Sequence, residues 1–124
     1  MKKVKKAENI PDEGLLCDLM WADPEKNQRD TYEFNQSRGV GVTFNEKAVE
    51  DVCNKLDIDL ISRSHQVVED GYEFFANRRL VTIFSAPGYM QEFDNDGAMM
   101  DVDVTLMCKF IKVKCENKNK TTGF

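Results

Sequence analysis

The sequence predicts an α+β fold with layered helices and strands, mostly antiparallel after residue 70. Two patterns carry that expectation. Ala48, Val49, Val52, Cys53 and Leu56 recur at helical spacing, which puts them on one face of an amphipathic helix. From Tyr72 onward, Tyr72–Phe75, Leu80–Ser85, Ala98–Val102 and Thr105–Val113 are apolar runs separated by turn residues, as in successive short strands. A length of 124 residues fits one domain, and 41% hydrophobic content with eight Phe can build its core.

Residues 1–9 read as a polar lead-in and 114–124 as a polar flank, leaving 10–113 as the domain. Gly14–Trp21 is apolar enough for a short buried helix, stopped by Asp23-Pro24. Glu25–Ser37 is polar and reads as loop. Val40–Phe44 alternates like a strand edge, and Asn45 with Glu46 behind it is suited to cap a helix running to Leu56. Ile58–Ile61 reads as a buried strand leading into Arg63-Ser64-His65.

Charge is unevenly spread. Four lysines lie within Met1–Lys6 and five follow Cys108, while 21 acidic and eight basic residues lie between Ala7 and Cys108. So acidic a core repels nucleic acid and suits cationic partners, or is simply a solvated surface. Nothing is long and apolar enough to span a membrane, and no hydrophobic run follows the leading lysines. The expectation is a soluble protein of the cytoplasm or nucleus. Cys17, Cys53, Cys108 and Cys115 form no CxxC pair, which favours reduced thiols over a disulfide framework or zinc site.

Several residues carry possible chemistry. His65, the only histidine, follows an apolar strand and is either a hydrogen-bonded structural residue or a ligand displayed at a strand end. Arg38, in Ser37-Arg38-Gly39, is either a surface ion-pair partner or a clamp for phosphate or carboxylate. Tyr89 follows the turn Ser85-Ala86-Pro87-Gly88 and either packs or offers a phenol to a cleft. Glu92, Asp94, Asp96, Gly97 and Asp103 are spaced like a calcium loop. The flanks are β-prone, however, whereas that motif needs helices.

Taken in order, LLCDLMWADP, SRGVGVTF, LDIDLISRSHQVVEDGYEFF, RRLVTIFSAPGY, EFDNDGAMMDVD and TLMCKF resemble successive blocks of the type 1 protein serine/threonine phosphatase catalytic domain. The resemblance covers nearly all of Ile10–Phe110. HQVVEDGYEFF and EFDN point to type 1 rather than type 2A. It implies the C-terminal portion of a metallophosphoesterase β-sandwich flanked by helices. It further implies two divalent metal ions (manganese, or iron with zinc) and hydrolysis of phosphoserine and phosphothreonine by a metal-bridging hydroxide.

By resemblance, His65 matches a metal ligand, Arg38 a phosphate-holding arginine and Tyr89 the tyrosine of a mobile loop above the metals. Trp21 and Asp23 match residues lining substrate grooves, and Glu92 an acidic rim suited to phosphosites with basic neighbours. Leu60, Phe74, Leu106, Cys108 and Phe110 match an apolar pocket that receives the docking motif of regulatory subunits; core packing is the other reading of these five. The partners implied are phosphoprotein substrates and regulatory subunits.

The family's GDxHG, GDxxDRG, GNHE and HGG blocks are absent from this sequence. One histidine cannot hold two divalent ions, nor is a second left to protonate a leaving group. The expectation is therefore a phosphatase portion inactive by itself, or alternatively a non-catalytic module that binds regulatory subunits. Gly88, Met90 and Gln91 replace the family's Asn, Cys and Gly around Tyr89. Ser64 replaces an alanine, and two extra residues lie between Trp21 and Arg38.

Overall fold

The computed structural model describes residues 9–116, which form two compact units divided after Asp57. In the first, helix α1 (Leu15–Trp21) follows Gly14 and ends where the Ala22 N–H bonds the Asp18 carbonyl at 2.9 Å. Of its residues only Cys17 is buried, while Leu15, Leu19 and Met20 are at least half exposed. The expected buried helix is thus a helix with a single buried thiol, because a seven-residue helix turns only one stripe inward. Burial pushes the Cys17 thiol pKa up, and the neighbouring charges of Asp18 and Asp12 push it further.

Strand β1 (Asp23–Pro24), β2 (Tyr32–Phe34) and β3 (Val42–Phe44) form a sheet with β3 in the centre. It pairs parallel to β1 through Asp23 and Thr43, and antiparallel to β2 through Phe34 and Val42. Two expectations change here. The segment Glu25–Ser37 is not all loop, since β2 lies within it, and β3 is an inner strand rather than an edge. Tyr32-Glu33-Phe34 alternates for only three residues amid polar neighbours, so pairing with β3, not local pattern, makes it a strand.

Helix α2 (Glu46–Leu56) begins as expected. The Asn45 side-chain oxygen accepts the Ala48 N–H at 3.2 Å, meeting one of the donors a first turn leaves unpaired. Ala48, Val49 and Cys53 are its buried stripe, and Lys47 pairs with Asp51 at 3.0 Å on the exposed side. Asp57, left-handed at φ 52°, ends it.

The second unit contains β4 (Ile61–Arg63), β5 (Tyr72–Phe75) and β6 (Leu80–Ile83), with β6 central. β6 pairs parallel to β4 and antiparallel to β5, and its Leu80, Val81 and Thr82 are buried. The strand expected at Ile58–Ile61 starts instead at Ile61. The Ile61 N–H bonds the Arg79 carbonyl at 2.8 Å and Ile61 faces Leu80, so the partner sets the start. Its residues are exposed or half-buried, not buried. After a 3-10 turn at Tyr89–Gln91, β7 (Gly97–Val102) and β8 (Cys108–Val113) form an antiparallel pair, in keeping with the late antiparallel texture of the sequence. Thr105–Met107, expected as strand, is turn.

Asp96, just before β7, has no exposed surface. Its carboxylate accepts the Cys115 N–H at 3.1 Å and the ammonium groups of Lys114 at 3.0 Å and Lys112 at 3.3 Å. Lys112 also reaches Asp70 at 2.8 Å. The hydrogen bond to Asp70, with that to Asp96, outweighs desolvation and raises the Lys112 pKa.

Gly71, with φ of 80°, lies against the backbone of Gly97, where a Cβ would come within 2.5 Å of the Gly97 carbonyl carbon. Gly39 also has positive φ, but a Cβ there meets nothing within 4 Å. Gly71→Ala is expected to destabilise by about 2 kcal/mol or more in chemical denaturation, and Gly39→Ala by clearly less. Equal losses would show that backbone conformation, not close approach, requires Gly71.

Candidate functional site

In the first unit, three polar side chains form a connected group. Asp23, only 5% exposed, is held in β1 next to Trp21, the half-buried last residue of α1. Its Oδ2 accepts the Arg38 Nε–H at 3.0 Å and the Asn35 Nδ2–H at 3.0 Å. Asn35 Oδ1 accepts the Arg38 backbone N–H at 3.2 Å, and Asn35 itself is 2% exposed. Backbone bonds from Asn35 N–H to Gly41 and from Gly39 N–H to Asn35, at 3.0 and 2.9 Å, close the loop that presents Arg38. The expected surface ion pair is therefore half-buried. One edge of the guanidinium is tied to Asp23, and 31% of the side chain meets solvent. A fork so oriented can hold a tetrahedral oxyanion. Asn35 had no sequence signal, being one asparagine in a polar stretch.

In the second unit, His65 is exposed at φ 84°, two residues beyond β4. Arg63 at the end of that strand donates to Gln66 Oε1 at 2.7 Å and Thr82 Oγ1 at 3.2 Å, anchoring the backbone from which His65 departs. Tyr89 is 40% exposed, and its ring stands edge-on to Phe84 at 5.0 Å. Buried Asn95 shapes this loop: its Oδ1 accepts the Tyr89 N–H at 3.0 Å and its Nδ2 donates to the Ala86 carbonyl at 2.9 Å. Glu92 is exposed and its N–H bonds the Tyr89 carbonyl at 3.2 Å, so the two residues share one turn. An open groove beside them is lined by Val67, Glu69, Phe93, Asp94 and Asn95. Acid beside apolar surface suits an aliphatic chain ending in a cation.

Among the described residues, no three His, Cys, Asp or Glu side chains are grouped closely enough to hold a metal ion. The donors around His65 thus do not by themselves fit a pair of divalent ions. The spacing that resembled a calcium loop is built otherwise. Gly97 opens a strand, Asp96 faces lysines, and Asp103 caps its own turn.

Of the residues matched to a docking pocket, Phe74 and Phe110 meet edge-to-face at 5.7 Å. Tyr72 stacks on Phe110 at 3.9 Å, and the Arg78 guanidinium lies over Phe74 at 4.7 Å. Neither Tyr72 nor Arg78 was singled out from sequence. Leu60 is half-buried just before β4, Cys108 opens β8 half-buried, and Leu106 is 74% exposed in the preceding turn with φ of 65°. Asp103 holds that turn, its Oδ1 accepting Thr105 Oγ1–H at 2.7 Å, Thr105 N–H at 2.8 Å and Met107 N–H at 3.1 Å.

No family model matches the chain. A solved structure does, that of a protein serine/threonine phosphatase from Saccharomyces cerevisiae described as similar to human phosphatase PP5. The match has a TM-score of 0.79 at 22% identity and covers 91% of this chain. The chain has a serine/threonine phosphatase fold. It spans 38% of the length of that phosphatase. No helix among the described residues is long and apolar enough to cross a membrane.

Two outcomes test these geometries. Asn35→Leu leaves the buried Asp23 carboxylate and the Arg38 N–H each short of a partner, and is expected to cost about 1–3 kcal/mol; an unchanged urea midpoint would contradict the connected group. The Thr105 hydroxyl first, then backbone N–H groups, hold the Asp103 carboxyl below its ordinary 3.8. Its folded value lies below its unfolded one, so its stabilisation is complete above pH 3.8 and disappears as pH falls through the lowered value. Amide protection at Leu106 and Met107 should fall in that range, and should lose the dependence in Asp103→Asn.

Proposed function

We propose that this chain forms the C-terminal portion of a metal-dependent protein serine/threonine phosphatase acting on phosphoproteins. The phosphatase fold match carries this reading, and the ordered sequence blocks support it. In it, Arg38 binds the phosphoryl oxygens, steadied by Asp23 and Asn35. Tyr89 offers its phenol as a hydrogen-bond donor from a loop pinned by Asn95. His65 is one ligand to a metal site whose remaining donors lie outside this sequence. When bound, the two ions would supply the attacking hydroxide and the Lewis acid. With one imidazole this chain does not assemble that site, and it is proposed to be without turnover by itself. Trp21 and the acidic rim at Glu92 favour phosphosites with basic neighbours. The compartment proposed is cytoplasm or nucleus.

A second reading draws on the Tyr72–Phe74–Phe110 aromatic cluster and on Leu106, exposed in the turn before β8. In this reading Leu60, Phe74, Leu106, Cys108 and Phe110 receive the short hydrophobic docking peptides of phosphatase regulatory subunits, and the chain competes with an intact enzyme.

Titration with a phosphoserine peptide carrying flanking arginines separates the two. The first reading expects a shift of the Arg38 Nε resonance that the unphosphorylated peptide does not produce and that Asn35→Ala weakens. An equal response to both peptides would contradict it. The second expects an extended hydrophobic peptide to shift the Phe74 and Phe110 ring resonances, and no such shift would remove it.

A further inference from the structure

Three consecutive residues in the turn between β5 and β6, Ala76, Asn77 and Arg78, have φ of 51°, 52° and 65°. Of these only asparagine enters the left-handed region at little cost. The Phe75–Leu80 pair, the burial of Ala76 and the Arg79 N–H, bonded to the Ala76 carbonyl at 3.0 Å, hold the turn there. Arg78 thereby doubles back, and its guanidinium lies over the Phe74 ring at 4.7 Å. Phe74 is braced in turn, edge-to-face, by Tyr72 at 6.1 Å and Phe110 at 5.7 Å. Arg38 is tied to Asp23, and Arg63 to Gln66 and Thr82. Arg78 is exposed instead, and among the described residues no carboxylate pairs with it. A ring face attracts the charge but leaves the planar fork of N–H donors to solvent.

We propose that Arg78 determines specificity at this surface, resting on the docking role given to Phe74 and Phe110 above: it selects extended peptides that carry a carboxylate beside their apolar residues. A peptide whose apolar side chain packs on the aromatic cluster brings its neighbouring side chain close to the guanidinium. If that neighbour is Glu or Asp, its two oxygens match the fork of N–H donors, and the ring below keeps the fork from wandering. A neutral neighbour gains nothing there, and a basic one is repelled. The chain as a whole has a net charge of −5, so most of its surface disfavours an acidic peptide. The preference is therefore local to the Arg78 turn, and it sets which end of a docking peptide carries the acid. The strained turn is consistent with such a role, since left-handed residues with a Cβ persist where the position of a side chain matters.

Three labelled peptides with apolar residues at two alternate positions test this by fluorescence anisotropy on the whole chain. One carries glutamate before the apolar pair, one carries it after, and one has glutamine at both places. The chain should bind one glutamate form about three- to fivefold more tightly than the glutamine form. Salt raised from about 50 to about 500 mM should erase that preference. Arg78→Asn suits the left-handed turn, so the circular dichroism should not change while the preference disappears. Arg78→Lys, which keeps the charge without the fork, should retain part of it. The ratio between peptides is decisive, because a loosened Phe74 would weaken all three alike. If no peptide binds, the docking role fails and the proposal with it. If all three bind equally, or if the preference survives Arg78→Asn, docking is retained and the proposal for Arg78 is overturned.

Discussion

A carboxylate without exposed surface is tolerated only where cations and N–H groups replace the water it has lost, and in the second unit that carboxylate is Asp96. The Cys115 N–H, Lys112 and Lys114 all converge on it, so the end of β8 and the residues after it are tied to the residue just before β7. Lys112 carries the connection on to Asp70, beside Gly71, whose missing side chain lets its backbone lie against Gly97. Charge and close approach therefore act at one place. They fix where the β7–β8 pair starts relative to the turn before β5, and hence where β8 displays Phe110 beside Tyr72 and Phe74.

The first unit repeats the principle with less charge. Asp23 is buried and answered by Arg38 and Asn35, and Asn35 also holds the backbone from which Arg38 extends. A guanidinium restrained this way has lost much of its rotamer freedom before a ligand arrives, which lowers the ordering cost of binding an oxyanion. That restraint supports the proposed role of Arg38 as a phosphate ligand, on grounds separate from the fold match.

What could be read from the sequence was what local chemistry decides. The α2 helix was legible because its apolar spacing, its Asn45 cap and its end all lie within a dozen residues. Strand β2 was not, because Tyr32 and Phe34 become strand residues only by pairing with β3. The start of β4 moved to Ile61 for the same reason, its partner being Leu80. Arg38 and Tyr89 could be named as candidates, but Asn35 and Asn95, which hold them, are asparagines whose burial is a property of the fold alone. Asp96 was noticed for a spacing that resembled a calcium loop, whereas its true partners follow more than a dozen residues later.

The fold is that of a serine/threonine phosphatase, the chain spans 38% of the length of the matched enzyme, and its single histidine stands without a metal-holding group among the described residues. From these follows a proposal with two halves: phosphatase ancestry, and no turnover by this chain acting alone. Manganese-dependent hydrolysis of a generic phosphomonoester by the 124-residue chain, measured beside His65→Ala, tests it most directly. The expected result is no metal-dependent turnover above that of the variant. Turnover that requires manganese and vanishes with His65→Ala would contradict it, and would mean that the chain completes a metal site from its own residues.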